Sequence, residues 1–229
     1  MENAHYFLHV TDTHLCFDAE APDICCTEQA LRSLYQTAFA WDHRPAFVLI
    51  TGDLVHEGTS ADYARAKTLL QELDEQYHTK TYPALGNHDN RENFNSAFRE
   101  QASDQPVDYC VQNEWLRWIV LDSSCGQVIG QLSGSQLAWL EQELCDPTDC
   151  PTILALHHPV YGTTTAETDA NNLATPDRLI RLLQDHPVDG ILCGHSHEAT
   201  LVTEQGLPPQ FVGAGAASAA LPLIQGRVQ

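Results

Sequence analysis

Basic residues are scarce in this 229-residue chain: 11 Lys and Arg stand against 31 Asp and Glu, for a net charge of −20. Nucleic-acid affinity comes largely from Lys and Arg displacing counterions, so a nucleic-acid polymer is not expected as a partner. No run approaches the roughly 18 apolar residues of a membrane span, and no membrane partner is expected. Met1 to Val10 has neither a basic leader nor a long apolar core, so no export signal is read and a cytoplasmic protein is the expectation. Cysteine is not scarce, at eight residues, but no second C-x-x-C pair completes a zinc site at Cys25-Cys26 or at Cys145 and Cys150. The thiols are therefore expected reduced and structural. The length suits one large domain, taken as residues 1–229, and 43% hydrophobic content suits an ordinary core.

Tyr6 to Val10 reads as a short buried strand. Asp12 and His14 follow it, two positions apart and able to point the same way from extended backbone. Ala30, Leu31, Leu34, Ala38 and Trp41 set a helical period over 26–41. Phe47 to Ile50 is a second buried strand running into Gly52-Asp53, and a helix from Ser60 as N-cap through Leu73 comes next. A third strand, Thr79 to Leu85, delivers Gly86-Asn87-His88-Asp89, and Asn90 opens another helix.

Trp115 to Leu121 is a strand reaching Asp122, and Ser133 with Gln136 forms a capping box for a helix through Leu144. Thr152 to Leu156 is a strand before His157-His158-Pro159. Thr175 and Pro176 suit the N-cap and first position of a helix to Gln184. Val188 to Cys193 precedes Gly194-His195-Ser196-His197. Two β segments, Ala199–Thr203 and Gln210–Val212, close the pattern, and Gly213 to Ala220 is loop or helix. Strands that alternate with helices and end in polar side chains argue for an α/β fold with a largely parallel sheet, whose ligands gather at the carboxyl ends.

The strand-end set is Asp12, His14, Asp53, Asn87, His157, His195 and His197. Any one of these alone is more often a turn or core residue. Together they form a nitrogen and oxygen set without sulfur, which suits Mn, Fe, Zn or Co better than Ca or Mg. They are too many for one open catalytic ion and enough for two if a carboxylate bridges. His158 and the histidines at 5, 9, 43, 56, 78 and 186 are read as structural.

Asp12-x-His14, Gly52-Asp53, Gly86-Asn87-His88-Asp89, His157 and Gly194-His195-x-His197 resemble, in order, the five motifs of the calcineurin-like metallophosphoesterases. The resemblance implies a four-layer α/β/β/α sandwich with a dinuclear metal site. It implies that Asp12, His14 and His197 hold one ion, Asn87, His157 and His195 the other, and that Asp53 bridges. His88 matches the family's catalytic histidine, with Asp89 expected to orient and polarise it.

Branches of the superfamily separate on local residues. Leu54-Val55-His56-Glu57-Gly58 and the closing Asp89 differ from the protein Ser/Thr phosphatases, and His88 stands where the lipid A pathway hydrolases carry Arg. Repair nucleases of this fold carry an extra DNA-binding portion. Thr11-Asp12-Thr13-His14-Leu15, Leu121-Asp122-Ser123 and Leu156-His157-His158-Pro159 look like the bacterial class III cyclic-nucleotide phosphodiesterases. The resemblance implies hydrolysis of a small phosphodiester, 3′,5′-cyclic AMP first, by a metal-bridging hydroxide. The alternatives are a glycerophosphodiesterase, a broad phosphodiesterase or phosphomonoesterase, and more remotely a non-catalytic binding module. Members often continue past the last His motif for dimerisation or lid formation; here that region is short, and a homodimer is left open. In the loop from Val160 to Leu173, Tyr161 is expected to stack on a purine, with Asn87 and His88 also at the substrate.

Overall fold

Side-chain alternation along the strands of the computed structural model explains its layers. In β2 (Val48–Thr51), Val48 and Ile50 pack with helical residues such as Leu31, Tyr35, Leu69 and Leu73. Phe47 and Leu49 point the other way, onto Trp118, Val120, Ile153 and Ala155 of a second sheet. On that sheet Ile119, Leu154, Leu156 and Ile191 turn outward onto Leu137, Leu140, Leu179 and Leu183 of its own helices. A strand buried on both faces feeds two cores by its period of two, and the result is the α/β/β/α sandwich. Phe47 stacks on Trp118 at 4.2 Å at the sheet interface. Truncating an aromatic there to Ala costs about 3–5 kcal/mol.

The structure describes residues 5–17, 27–162 and 171–216. Cys25, Cys26, the Thr run at 163–165 and the stretch from Ala217 lie outside the described residues. The first sheet is β1 (Leu8–Val10), β2 and β3 (Thr81–Ala84), in that order and all parallel. It carries α1 (Thr27–Phe39), α2 (Ser60–Tyr77) and α3 (Arg91–Arg99). The second sheet runs β4 (Tyr109–Gln112), β5 (Arg117–Val120), β6 (Thr152–Ala155), β7 (Gly190–Cys193), β9 (Gln210–Val212), β8 (Thr200–Val202). Its helices are α4 (Gly134–Cys145) and α5 (Asp177–Asp185). The four strands β5, β6, β7 and β9 are parallel, but β4 and β8 join antiparallel at the edges, so the sheet is mixed.

Several boundaries differ from the sequence expectation for local reasons. Thr59, not Ser60, caps α2, because Asp62 is the residue three further on that can close a capping box with it. Ser60 Oγ instead donates to Asn93. The helix runs on to Tyr77, whose ring packs against Phe39 at 5.0 Å. At α5 the cap is Pro176, already helical in φ and ψ and without a side-chain cap bond, so Thr175 does not serve. Ser133 and Gln136 make the expected capping box on α4. The described cysteines, at 16, 110, 125, 145, 150 and 193, are free thiols. Among the described residues no helix is long and apolar enough to cross a membrane.

Candidate dinuclear metal site

The loops leaving β1, β2, β3, β6 and β7 meet at one end of the two sheets. Asp12, His14, Asp53, His195 and His197 all sit at positive φ, between 39° and 73°. The other described non-glycine residues there, His78 and Glu100, are ordinary helix C-caps. A left-handed residue with a side chain costs about 1–2 kcal/mol. Such strain persists only where the surroundings enforce it, and it gathers at functional sites. Here the loop after β1 is laced to the loop after β2: Asp12 N–H donates to Gly52 O at 3.1 Å, His14 N–H to Asp53 O at 2.8 Å, Leu15 N–H to Leu54 O at 2.9 Å.

Two glycines permit the approach of the remaining loops. A Cβ on Gly86 would lie 2.3 Å from Asp53 Oδ1, and one on Gly194 would lie 1.8 Å from Thr11 Oγ1 and 2.5 Å from Asp12 Oδ2. Neither glycine has a positive φ, so closeness of backbone to the acidic side chains is what requires them. His195 N–H then donates to the Asp12 carboxylate, at 3.1 Å to Oδ2.

The structure brings all seven sequence-derived candidates together. His197 Nε2 lies 3.1 Å from Asp12 Oδ1 and 3.2 Å from His14 Nε2. His157 Nε2 and His195 Nδ1 lie 3.1 and 2.9 Å from Asn87 Oδ1. Asp53 Oδ2 stands between the two groups, 3.5 Å from His14 Nε2 and 3.4 Å from His157 Nε2. Ligands about 2.0–2.2 Å from one ion stand roughly 3.0–3.5 Å apart, so the spacing suits two ions that share one carboxylate.

Charge argues the same way. Asp12 and Asp53 are buried, and among the described residues no Lys or Arg pairs with either. Burial by itself would raise the Asp53 carboxyl, but His157 and His14 draw it well below the ordinary carboxylate range. Asp12 is likewise lowered against its burial, chiefly by His197. Two ionised, buried carboxylates call for cations. Burial pushes His14 and His195 down to about 4, leaving the neutral imidazole that binds metal. Burial would lower His157 too, yet Asp53 lifts it to about 9, so a proton there is what a cation would displace. His157 Nδ1 faces Thr51 O at 2.9 Å, which turns Nε2 toward Asp53 and Asn87. The donor set fits two transition-metal ions.

His158 stays outside that set. Its Nδ1 pairs with Ser123 Oγ at 2.8 Å and its Nε2 with Val128 O at 3.0 Å, which uses both nitrogens.

Two expectations need correction. The Asp89 carboxylate does not reach His88. It accepts from Leu54 N–H, Val55 N–H, Gly86 N–H and Tyr63 OH, tying the loop after β3 to the loop after β2. Burial and the nearby Asp53 charge raise its pKa to about 7. The partner of His88 Nδ1 is the carbonyl of His56, at 2.9 Å. Tyr161 does not offer a ring for stacking. It is 4% exposed within the core of the second sheet, because Gln210 Oε1 accepts from its N–H at 3.1 Å and draws the chain inward. Asn172 is buried as well.

Sequence reasoning also missed two contributors. His56 lies three residues after Asp53, and its place on that loop was the available signal. Arg91, at the start of α3, donates to the buried Asp122 at 2.7 Å and joins the two sheets beside the site.

Residues 5–199 match the Calcineurin-like phosphoesterase family. The chain is 36% identical over 206 residues to a probable cyclic nucleotide phosphodiesterase of Rhodococcus erythropolis, covering 89% of this chain and 68% of that one. It is 32% identical to a cAMP/cGMP dual specificity phosphodiesterase of Mycobacterium tuberculosis, covering 92% and 67%. A glycerophosphodiester phosphodiesterase of Enterobacter lignolyticus is 33% identical over 69% of this chain and 58% of its own. In fold, a dimetal phosphatase from Danio rerio superposes with a TM-score of 0.74 at 16% identity, covering 95% of this chain and 89% of that one. By sequence and by fold the chain belongs to the calcineurin-like phosphoesterase family, as a metal-dependent phosphoester hydrolase.

Proposed function

We propose that this single domain hydrolyses small phosphodiesters, with 3′,5′-cyclic AMP opened to 5′-AMP. The observation that carries the dinuclear reading is Asp53 Oδ2, 3.5 Å from one imidazole nitrogen and 3.4 Å from another in a separate group. Asp12, His14 and His197 would hold one ion, Asn87, His157 and His195 the second, and Asp53 both. Manganese, iron, zinc and cobalt all suit these donors. Bound there, two ions supply charge neutralisation at the phosphoryl oxygens and lower the pKa of a water that attacks phosphorus.

The chain's own groups do the rest. Thr51 O on His157 Nδ1 and the Asn171 carbonyl on His195 keep the other nitrogen of each ring turned inward. His56 O accepts from His88 Nδ1–H, so with the ring as imidazolium the Nε2–H is the proton that the departing 3′ oxygen takes as its bond to phosphorus breaks. The dearth of cations keeps polymeric nucleic acid away.

The cyclic-nucleotide choice is supported by two relatives of that name, which match 89% and 92% of this chain. A glycerophosphodiester is the second reading, favoured by the relative so named over 69% of the chain. Purified protein with Mn²⁺ supplied should convert cyclic AMP to 5′-AMP. A glycerophosphodiester or simple monoester turned over about a hundredfold faster under the same metal conditions would reverse the choice.

A further inference from the structure

The loop between Asp53 and Gly58 brings to the site an imidazole that none of the five motifs contains. His56 is braced through its backbone. Its N–H donates to Leu15 O at 3.1 Å, and the preceding Leu54 and Val55 N–H groups donate to the Asp89 carboxylate at 3.0 and 3.3 Å. The carbonyl at the end of this segment faces His88 Nδ1 at 2.9 Å. The two rings are stacked, with centroids 5.1 Å apart and planes 27° from parallel. His14 closes the corner edge-on, 4.7 Å from the His88 ring and 5.6 Å from that of His56.

We infer that His56 is the positioning residue of His88, its carbonyl anchoring Nδ1–H and its ring setting the plane, so that Nε2–H of the imidazolium stays aimed at the departing oxygen. This rests on His88 as the proton donor proposed above. His88 is an exposed side chain, and an unsupported imidazole there would sample several rotamers. A bond from Nδ1–H to one carbonyl oxygen leaves the ring free to pivot about that contact. A stacked face removes the pivot. The same geometry disfavours His14, His56 and His88 as a third ion site, because stacked rings present faces while their lone pairs lie in the ring planes. It also gives Asp89 an effect on His88 at one remove, through the backbone that carries the His56 carbonyl.

The test compares cyclic AMP, whose leaving group is an alkoxide, with bis(p-nitrophenyl) phosphate, whose leaving group needs no proton. His56→Ala should keep its metal content and KM while kcat on cyclic AMP falls about 10-fold, short of the ~10²-fold that a 1 Å misplacement can cost. On the nitrophenyl diester the loss should stay under about twofold, and His56→Phe, which keeps the stacked face, should recover most of the cyclic AMP rate. His56→Ala in a His88→Ala background should lose nothing further, since its target is gone. Equal losses on both substrates, no recovery by Phe, or a full additional loss in the double variant would each overturn the inference. If His88→Ala itself ignores the leaving group, the proton-donor proposal is what fails, and the double variant still decides whether His56 acts through His88. If His88→Ala depends on the leaving group while His56→Ala is inert, the inference about His56 fails alone.

Discussion

The two sheets contribute unlike chemistry to one site. From the first come Asp12, His14, Asp53, Asn87 and His88, which include every oxygen donor and both buried carboxylates of the set. From the second come His157, His195 and His197, imidazoles only. Their support differs too. The loops after β1 and β2 are laced together by main-chain bonds, with the Asp89 carboxylate tying in the loop after β3. The second sheet's ligands lean on the first: His157 Nδ1 on Thr51 O at 2.9 Å, and His195 N–H on Asp12 Oδ2 at 3.1 Å. The first sheet therefore holds the negative charge that would attract cations, and the second would complete their coordination. Neither half has a full ligand set for two ions.

That asymmetry is most exposed at Asp53. Asp53→Ala should lower the metal content at both positions and nearly abolish turnover, with affinity losses beyond the ~10–100-fold typical of outer partners. His157→Ala should empty only one position, because its nitrogen faces Asp53 Oδ2 and Asn87 but none of the first group's imidazoles. Metal analysis of the two variants side by side decides this. Equal retention in both would break the shared-carboxylate arrangement.

A smaller but still large effect is expected at His88, which belongs to the first sheet yet lies exposed beyond the candidate ligands. His88→Ala should keep its metals and lose about 10²–10⁴-fold in kcat on cyclic AMP. The loss should shrink on a nitrophenyl diester, measured by steady-state rates on both substrates. An equal loss would make His88 a phosphoryl-positioning group only.

Asp89 tests whether the lacing of the first sheet matters. Asp89→Asn retains the shape but replaces an acceptor-only carboxylate with an amide, which cannot accept from all four donors. A hydrogen bond to a charged group is worth about 1.5–3 kcal/mol, so thermal unfolding should shift down by several degrees. An unchanged melting temperature would show that the loops hold without it.

The smallest effect belongs to the second sheet. Tyr161 OH is buried and among the described residues has no hydrogen-bond partner. Tyr161→Phe should be neutral or stabilising by up to about 1 kcal/mol, since it removes a desolvated hydroxyl at no loss of packing. KM for cyclic AMP should not move. A tenfold rise in KM would return this residue to the substrate.

The strand exits were legible in the sequence because a glycine before Asp53 and Asn87 and the spacing of Asp12-x-His14 and His195-x-His197 are local patterns. Helices were legible from their period and their caps, with Ser133 and Gln136 read correctly. Thr59 was missed in favour of Ser60 because both are good caps and only Asp62 discriminates. The edge strand β4 was missed because its pairing with β5 lies across a turn and has no strong local mark. Gly86 and Gly194 are visible in the sequence as glycines, but what requires them there, the contact with Asp53 and with Thr11 and Asp12, is a property of the assembled loops.

By itself the sequence determined which side chains are the candidate ligands, the order in which strands present them, and the family they belong to, since motif residues and strand periodicity are encoded within short windows. Only the tertiary structure decided what each one touches. It placed Asp53 Oδ2 between two groups of imidazoles, turned Asp89 onto backbone N–H groups, buried Tyr161, and stacked His56 on His88. The reason is physical. A side chain's partner across a sheet or a loop is fixed by packing and left-handed backbone turns that bring distant segments within 3–4 Å, and no local pattern records which segment will arrive.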